Sequence, residues 1–74
     1  MQTITLPIQP ENYFGTQPAV TNLNVGDVLY IGSRHNLEEM QILSLAREND
    51  NIIISTDKAT LIASNLTRVN RKGF

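Results

Sequence analysis

The sequence predicts a mainly β fold, a small antiparallel barrel preceded by an irregular N-terminal arm. Three observations carry that expectation. First, residues 37–46, "LEEMQILSLA", do not suit a helix. With Leu37 set at zero, Met40 falls at about 300°, Ile42 at about 140°, Leu43 at about 240°, Leu45 at about 80° and Ala46 at about 180°. Apolar side chains all round would need burial on every side, which 74 residues cannot supply. Second, Asn49-Asp50 and Asp57-Lys58 fall between apolar runs and suit tight turns, Asn and Asp being tolerant of positive φ. Third, "VLYI" and "NIIIST" are rich in β-branched and aromatic residues, which fit a pleated, half-buried surface.

Residues 3–8, "TITLPI", alternate, and Pro7 cannot donate to a ladder, so the segment predicts a short edge strand or an extended arm. The stretch "QPENYFGTQPAVTNLN" has no sustained period and contains Pro10, Gly15 and Pro18, which predicts a long irregular connection. Its adjacent aromatics, Tyr13 and Phe14, either anchor the loop to the core or meet a partner. Gly26-Asp27 predicts a turn into a strand over Val28–Ile31, ended by Gly32 and Ser33. "SRHNLEE" predicts a polar loop; Asn36 with Glu39 three residues on fits a helix cap, of at most one turn. On the strand that follows, Met40, Ile42, Ser44 and Ala46 are expected on one face, with Gln41, Leu43, Leu45 and Arg47 on the other. One face goes to the core, and the other can be half covered in a curved sheet.

The segment 58–70 leaves two readings open. Ala59, Ile62, Ala63, Leu66 and Val69 lie within a helical arc of about 120°, and Thr56 or Asp57 could cap such a helix, giving an α+β alternative. A strand "ATLI", a turn at "ASNL" and a closing "TRV" are equally coherent, and the β-branched and polar residues here are indifferent helix formers.

The succession "VGDVLYI", "MQILSLAREND", "NIIIST", "ATLIASNLTRV" resembles a small SH3-like barrel of the KOW or translation-protein type. The resemblance spans residues 23–70 and implies hairpin-linked strands and a one-turn 3₁₀ element at "ASNL". It is one of pattern, without a glycine-rich KOW signature, and assigns no functional residue. One domain is expected, with 1–22 an extended arm and loop, 23–70 the barrel and 71–74 a basic tail. A second stretch, "EMQILSLARENDNIIISTDKATL", is similar to the strand-after-helix segment of PIN-like nucleases and would imply Asp57 as a metal ligand. Such a metal needs several carboxylates from neighbouring strand ends, and "TITLPI" offers none.

Composition excludes several functions. There is no cysteine and one histidine, His35, so disulfides, thiolate sites and histidine-rich zinc sites are ruled out. No apolar run exceeds four residues, too short for a membrane span, and a cytoplasmic protein is expected. Ser33 and His35 share a loop without an orienting acid, Glu38 and Glu39 are adjacent and so diverge on a strand, and "NLT" at Asn65 is a glycosylation acceptor pattern without a secretion signal. No catalytic residue, metal or cofactor is expected, and the chain is not expected to be an enzyme.

Charge is uneven. Residues 1–57 hold Arg34, Arg47 and all seven acids, a net −5; residues 58–74 hold Lys58, Arg68, Arg71 and Lys72 and no acid, a net +4. The basic end is either a contact surface or a solvated terminus. Aromatics are 5% and form no alternating stacking platform, and the acidic majority repels phosphates, so a protein partner is favoured over nucleic acid. The expected partner is a larger protein or ribonucleoprotein assembly with an acidic surface, met by Arg68, Arg71 and Lys72 with Tyr13, Phe14 and Phe74 as apolar anchors. A cysteine-less binder of this size has the form of phage-encoded regulators that act on host machinery such as RNA polymerase. A nucleic-acid-binding barrel is the alternative.

Overall fold

The computed structural model describes residues 2–10, 15–33 and 35–72. Six strands form one curled sheet: β1 (Gln2–Thr5), β2 (Val28–Ser33), β3 (Asn36–Glu48), β4 (Asn51–Thr56), β5 (Ala59–Ser64) and β6 (Asn70–Arg71), in the spatial order β1-β5-β4-β3-β2-β6. The result is a half-barrel, compatible with an SH3-like barrel. Among the described residues there is no α-helix, only a 3₁₀ turn at Val20–Asn22.

The strands follow the two-residue period of the sequence. Ile52, Ile54 and Thr56 of β4 and Ala59, Leu61 and Ala63 of β5 are buried, while the residues between them are half-buried. Leu29, Ile31, Met40, Ile42, Val20, Leu23 and Val69 complete the core. This settles the segment 58–70 against the helix. Leu61, which lies off the helical stripe, is 0% exposed, and Leu66, which lies on it, is 74% exposed.

β3 is the long member, and it is shared. Residues 36–41 pair with β2 and residues 42–48 with β4, both antiparallel. Between these halves Ile42 opposes Thr56 and Ser44 opposes Ser55, so Leu43 is an extra residue, a β-bulge. The bulge reverses the phase of the strand. Met40 and Ile42 face the core, but beyond them Leu45 packs inward while Ser44 and Ala46 are exposed, which corrects the expectation of one continuous Met40–Ala46 face. Leu43 is left 54% exposed.

Both expected hairpin turns are present. Asn49 takes a φ of +54° between β3 and β4. Asp57 and Lys58 join β4 to β5, and Asp57 fastens that turn to β3, its Oδ1 accepting the Gln41 N–H at 3.0 Å. Thr56 is indeed a capping residue, but of this turn and not of a helix. Its buried hydroxyl accepts the N–H groups of Lys58 (3.2 Å) and Ala59 (2.9 Å) and donates to the Ala59 carbonyl. Thr56→Val keeps the shape and strips these bonds, so a loss of about 1–3 kcal/mol is expected in denaturant unfolding.

The N-terminal region belongs to the sheet. β1 pairs with β5 in parallel, so one pairing departs from the antiparallel rule of the rest. The segment 67–72 then closes the structure. Val20, Thr16 and Arg71 exchange backbone bonds across it (Val20 N–H to Thr67 O 2.9 Å, Thr16 N–H to Arg71 O 3.0 Å, Arg71 N–H to Thr16 O 2.7 Å), and Arg68 N–H reaches Ile8 O at 2.8 Å. The Lys72 N–H binds Val28 O at 2.8 Å. The expected 3₁₀ element at "ASNL" is instead a β-turn, closed by Thr67 N–H to Ser64 O at 3.0 Å, and the last strand is Asn70–Arg71, not "TRV". Gly32 and Ser33 continue β2 where a stop was expected.

Candidate functional site

Leu6 makes the last bond of β1 to β5, its N–H reaching Ile62 O, and after Pro7 the chain swings toward the 67–72 segment, where Ile8 O accepts the Arg68 N–H. The swing opens a groove of about 140 Å³. Leu6, Pro7 and Pro10 line it together with Tyr30 and Ile31 of β2 and with Val69 and Asn70. That volume suits one apolar side chain. Arg68 stands among the lining residues.

Of the three basic residues singled out in the sequence, the fold treats Arg68 differently from the others. Arg71 lies 3.7 Å from the Asp27 carboxylate, and its Nε donates to Thr16 Oγ1 at 3.2 Å. Asp27 is itself held in the Asn24–Asp27 turn, accepting the Asn24 N–H at 2.9 Å. The Lys72 ammonium lies 3.2 Å from Glu39 Oε1. The hydrogen bond that Lys72 donates to Glu39, then the charge of that carboxylate, hold the Lys72 ammonium above the ordinary lysine range. Arg68, by contrast, donates from Nη1 to the Gln17 carbonyl at 3.0 Å and has no carboxylate within salt-bridge distance among the described residues. The −5 and +4 segments of the sequence therefore partly cancel in space, because β2 and β3 bring Asp27 and Glu39 to the basic end. Tyr13, Phe14 and Phe74 lie outside the described residues.

The remaining candidates do not converge. His35 is exposed in the β2–β3 connection, Glu38 and Glu39 are exposed neighbours on β3, and Asp57 is occupied with Gln41. Among the described residues no three His, Cys, Asp or Glu side chains form a group able to hold a metal, and no helix is long and apolar enough to cross a membrane. A second hollow of about 160 Å³ lies between the 3₁₀ turn and the β3–β4 hairpin, with Val20, Leu23, Leu45 and Ile52 inside and Arg47 on its lining.

Sequence reasoning missed Leu6, Pro7, Pro10 and Tyr30 as neighbours. The signal available was the pair of prolines three residues apart, which marks a segment that leaves the ladder while staying extended. No family model matches the chain, and no curated protein or solved structure matches it either.

Proposed function

We propose that this chain is a non-enzymatic protein-binding module that acts stoichiometrically on a larger protein or ribonucleoprotein assembly, of which a host RNA polymerase is one example. The partner places an apolar side chain in the Leu6–Pro10/Tyr30 groove and a carboxylate against Arg68. One observation carries this reading: Arg68 lines an apolar groove without a carboxylate of its own among the described residues, whereas Arg71 and Lys72 have theirs. An exposed ion pair contributes about 0–1 kcal/mol, so the apolar anchor must supply most of the affinity.

The test is capture from cell lysate on the immobilised chain, followed by titration of the captured protein. Arg68→Ala is expected to weaken binding up to about five-fold, the equivalent of 1 kcal/mol, and Arg68→Glu further. Arg71→Ala with Lys72→Ala should change affinity less than Arg68→Glu. Salt should weaken the wild type and have less effect on Arg68→Ala, since surface charges are screened over about 8–10 Å near physiological ionic strength. Equal affinity for all variants would remove the groove from consideration. Recovery of nucleic acid alone, abolished by nuclease, would replace this reading with a nucleic-acid-binding barrel of the KOW type.

A further inference from the structure

The two ends of the sheet are finished differently. At the β6 end, residues 16–19 bond to residues 68–71 and cover the outer edge. At the β1 end nothing among the described residues does so. The Leu6 N–H binds Ile62 O at 2.8 Å, which fixes the phase of the parallel ladder: Gln2, Ile4 and Leu6 turn their backbone groups to β5. Thr3 and Thr5 therefore turn theirs away from it. Both residues are exposed, while Ile4 packs against the core.

Folded proteins blunt such an edge with charge or proline, or cover it. Here the first charged residue is Glu11, and Pro7 comes only after the strand has ended. We propose that the β1 edge is the interface for a second copy of this chain, paired antiparallel about a two-fold axis at Ile4.

The register follows from the spacing of the open groups. In an antiparallel ladder, residues whose N–H and C=O groups face the partner exchange both bonds, and they alternate with pairs that exchange none. Setting Ile4 opposite Ile4 of the second copy places Thr3 opposite Thr5 and Thr5 opposite Thr3. Four hydrogen bonds form, two per threonine pair. Pro7 shares the outward phase of Thr3 and Thr5 but has no N–H, and in this register no bond requires one. The Thr–Thr pairs are favourable cross-strand neighbours, and the two Ile4 side chains meet on the core face.

Charge does not oppose self-pairing. The edge is neutral, so it neither steers a charged partner nor repels its own copy, and the whole chain carries only −1. An edge of four residues is about 13 Å long. It falls short of the roughly 1,200 Å² that stable interfaces bury, so the dimer is weak and depends on concentration. The proposal rests on the β1 edge and not on the Arg68 groove, which begins beside it at Leu6 and Pro7.

Sedimentation velocity on the untagged chain tests it. From micromolar to millimolar concentration the mass should rise from 8.3 kDa toward twice that value. Over the same range, amide exchange should slow at Thr3 and Thr5. Thr3→Pro removes an outward donor without touching the β1–β5 ladder and should leave a monomer. The double change Thr3→Lys with Thr5→Lys, which keeps every backbone donor, should do the same by repulsion, while Thr3→Val should retain the dimer. A wild type that stays monomeric at millimolar concentration overturns the proposal, as does a dimer that survives Thr3→Pro. Protection of Thr3 and Thr5 that appears only when a different protein is added also overturns it, and assigns the edge to a foreign strand.

Discussion

Ile54→Ala is expected to remove a large fraction of the protein's stability, while Ile53→Ala one residue away removes little. Ile54 is fully buried in β4, between β3 and β5, with Leu45 and Leu61 as its cross-strand neighbours. Truncating it removes three carbons from a site hemmed in on both sides, which costs about 2–5 kcal/mol once the cavity is included. A chain of this length has a total stability of roughly 4–11 kcal/mol at ~0.05–0.15 kcal/mol per residue, so the loss is a large fraction of the whole. Ile53 points to the other face and is half-buried, so its truncation should cost well under half as much. Urea titration of both variants checks this: the midpoint should fall steeply for Ile54→Ala with the slope unchanged. Equal midpoints would mean that the two-residue period of β4 is misplaced.

Gly32→Ala is expected to lower the melting temperature far more than Gly26→Ala, although both glycines have positive φ. Gly26, at +99°, sits in the turn before β2, and a Cβ there meets nothing within 4 Å. Its substitution costs only the backbone strain, about 1 kcal/mol. Gly32, at +130°, lies opposite Leu37 where β2 runs into β3, and a Cβ there drives into the carbonyl oxygen of Asn36. The obstacle is backbone of the paired strand, which cannot move without opening the hairpin. Strain and clash together should cost about 3 kcal/mol or more. At about 4–8 °C per kcal/mol for a domain of this size, Gly26→Ala should melt a few degrees early and Gly32→Ala more than 12 °C early. Similar melting points for the two would contradict the close approach at Gly32.

The β class, the strand cores and both hairpin turns were legible because they rest on local chemistry: β-branched runs, two-residue alternation, and Asn or Asp where φ must be positive or a turn tight. Leu43 shows where that legibility stops. An inserted residue reverses inside and outside for everything after it, yet "QILSLA" reads as unbroken alternation with either phase. The parallel docking of "QTIT" on β5 was hidden for a related reason. A parallel partner more than fifty residues away leaves no local signature, and only Pro7 marked where the pairing ends. The site was less legible than the fold. Charge summed along the chain suggested a free basic end, because a sum along the chain cannot register that β2 and β3 carry Asp27 and Glu39 to it. Arg68 was named in the sequence, but as one of three equals. What distinguishes it is the groove it lines.

The closure by residues 67–72 has a consequence for the order of events on the ribosome. These residues bond to Ile8, to Thr16–Val20 and to Val28, segments made some forty to sixty residues earlier. The β3–β4 and β4–β5 hairpins are local and can form as soon as residue 64 has emerged. Until residue 72 follows, the groove lacks Arg68, Val69 and Asn70 from its lining, and the 16–20 segment lacks the bonds to residues 67–71 that hold it. A nascent chain halted just past β5 is thus an open curl with its core exposed along one side, and it closes only once residues 67–72 have followed.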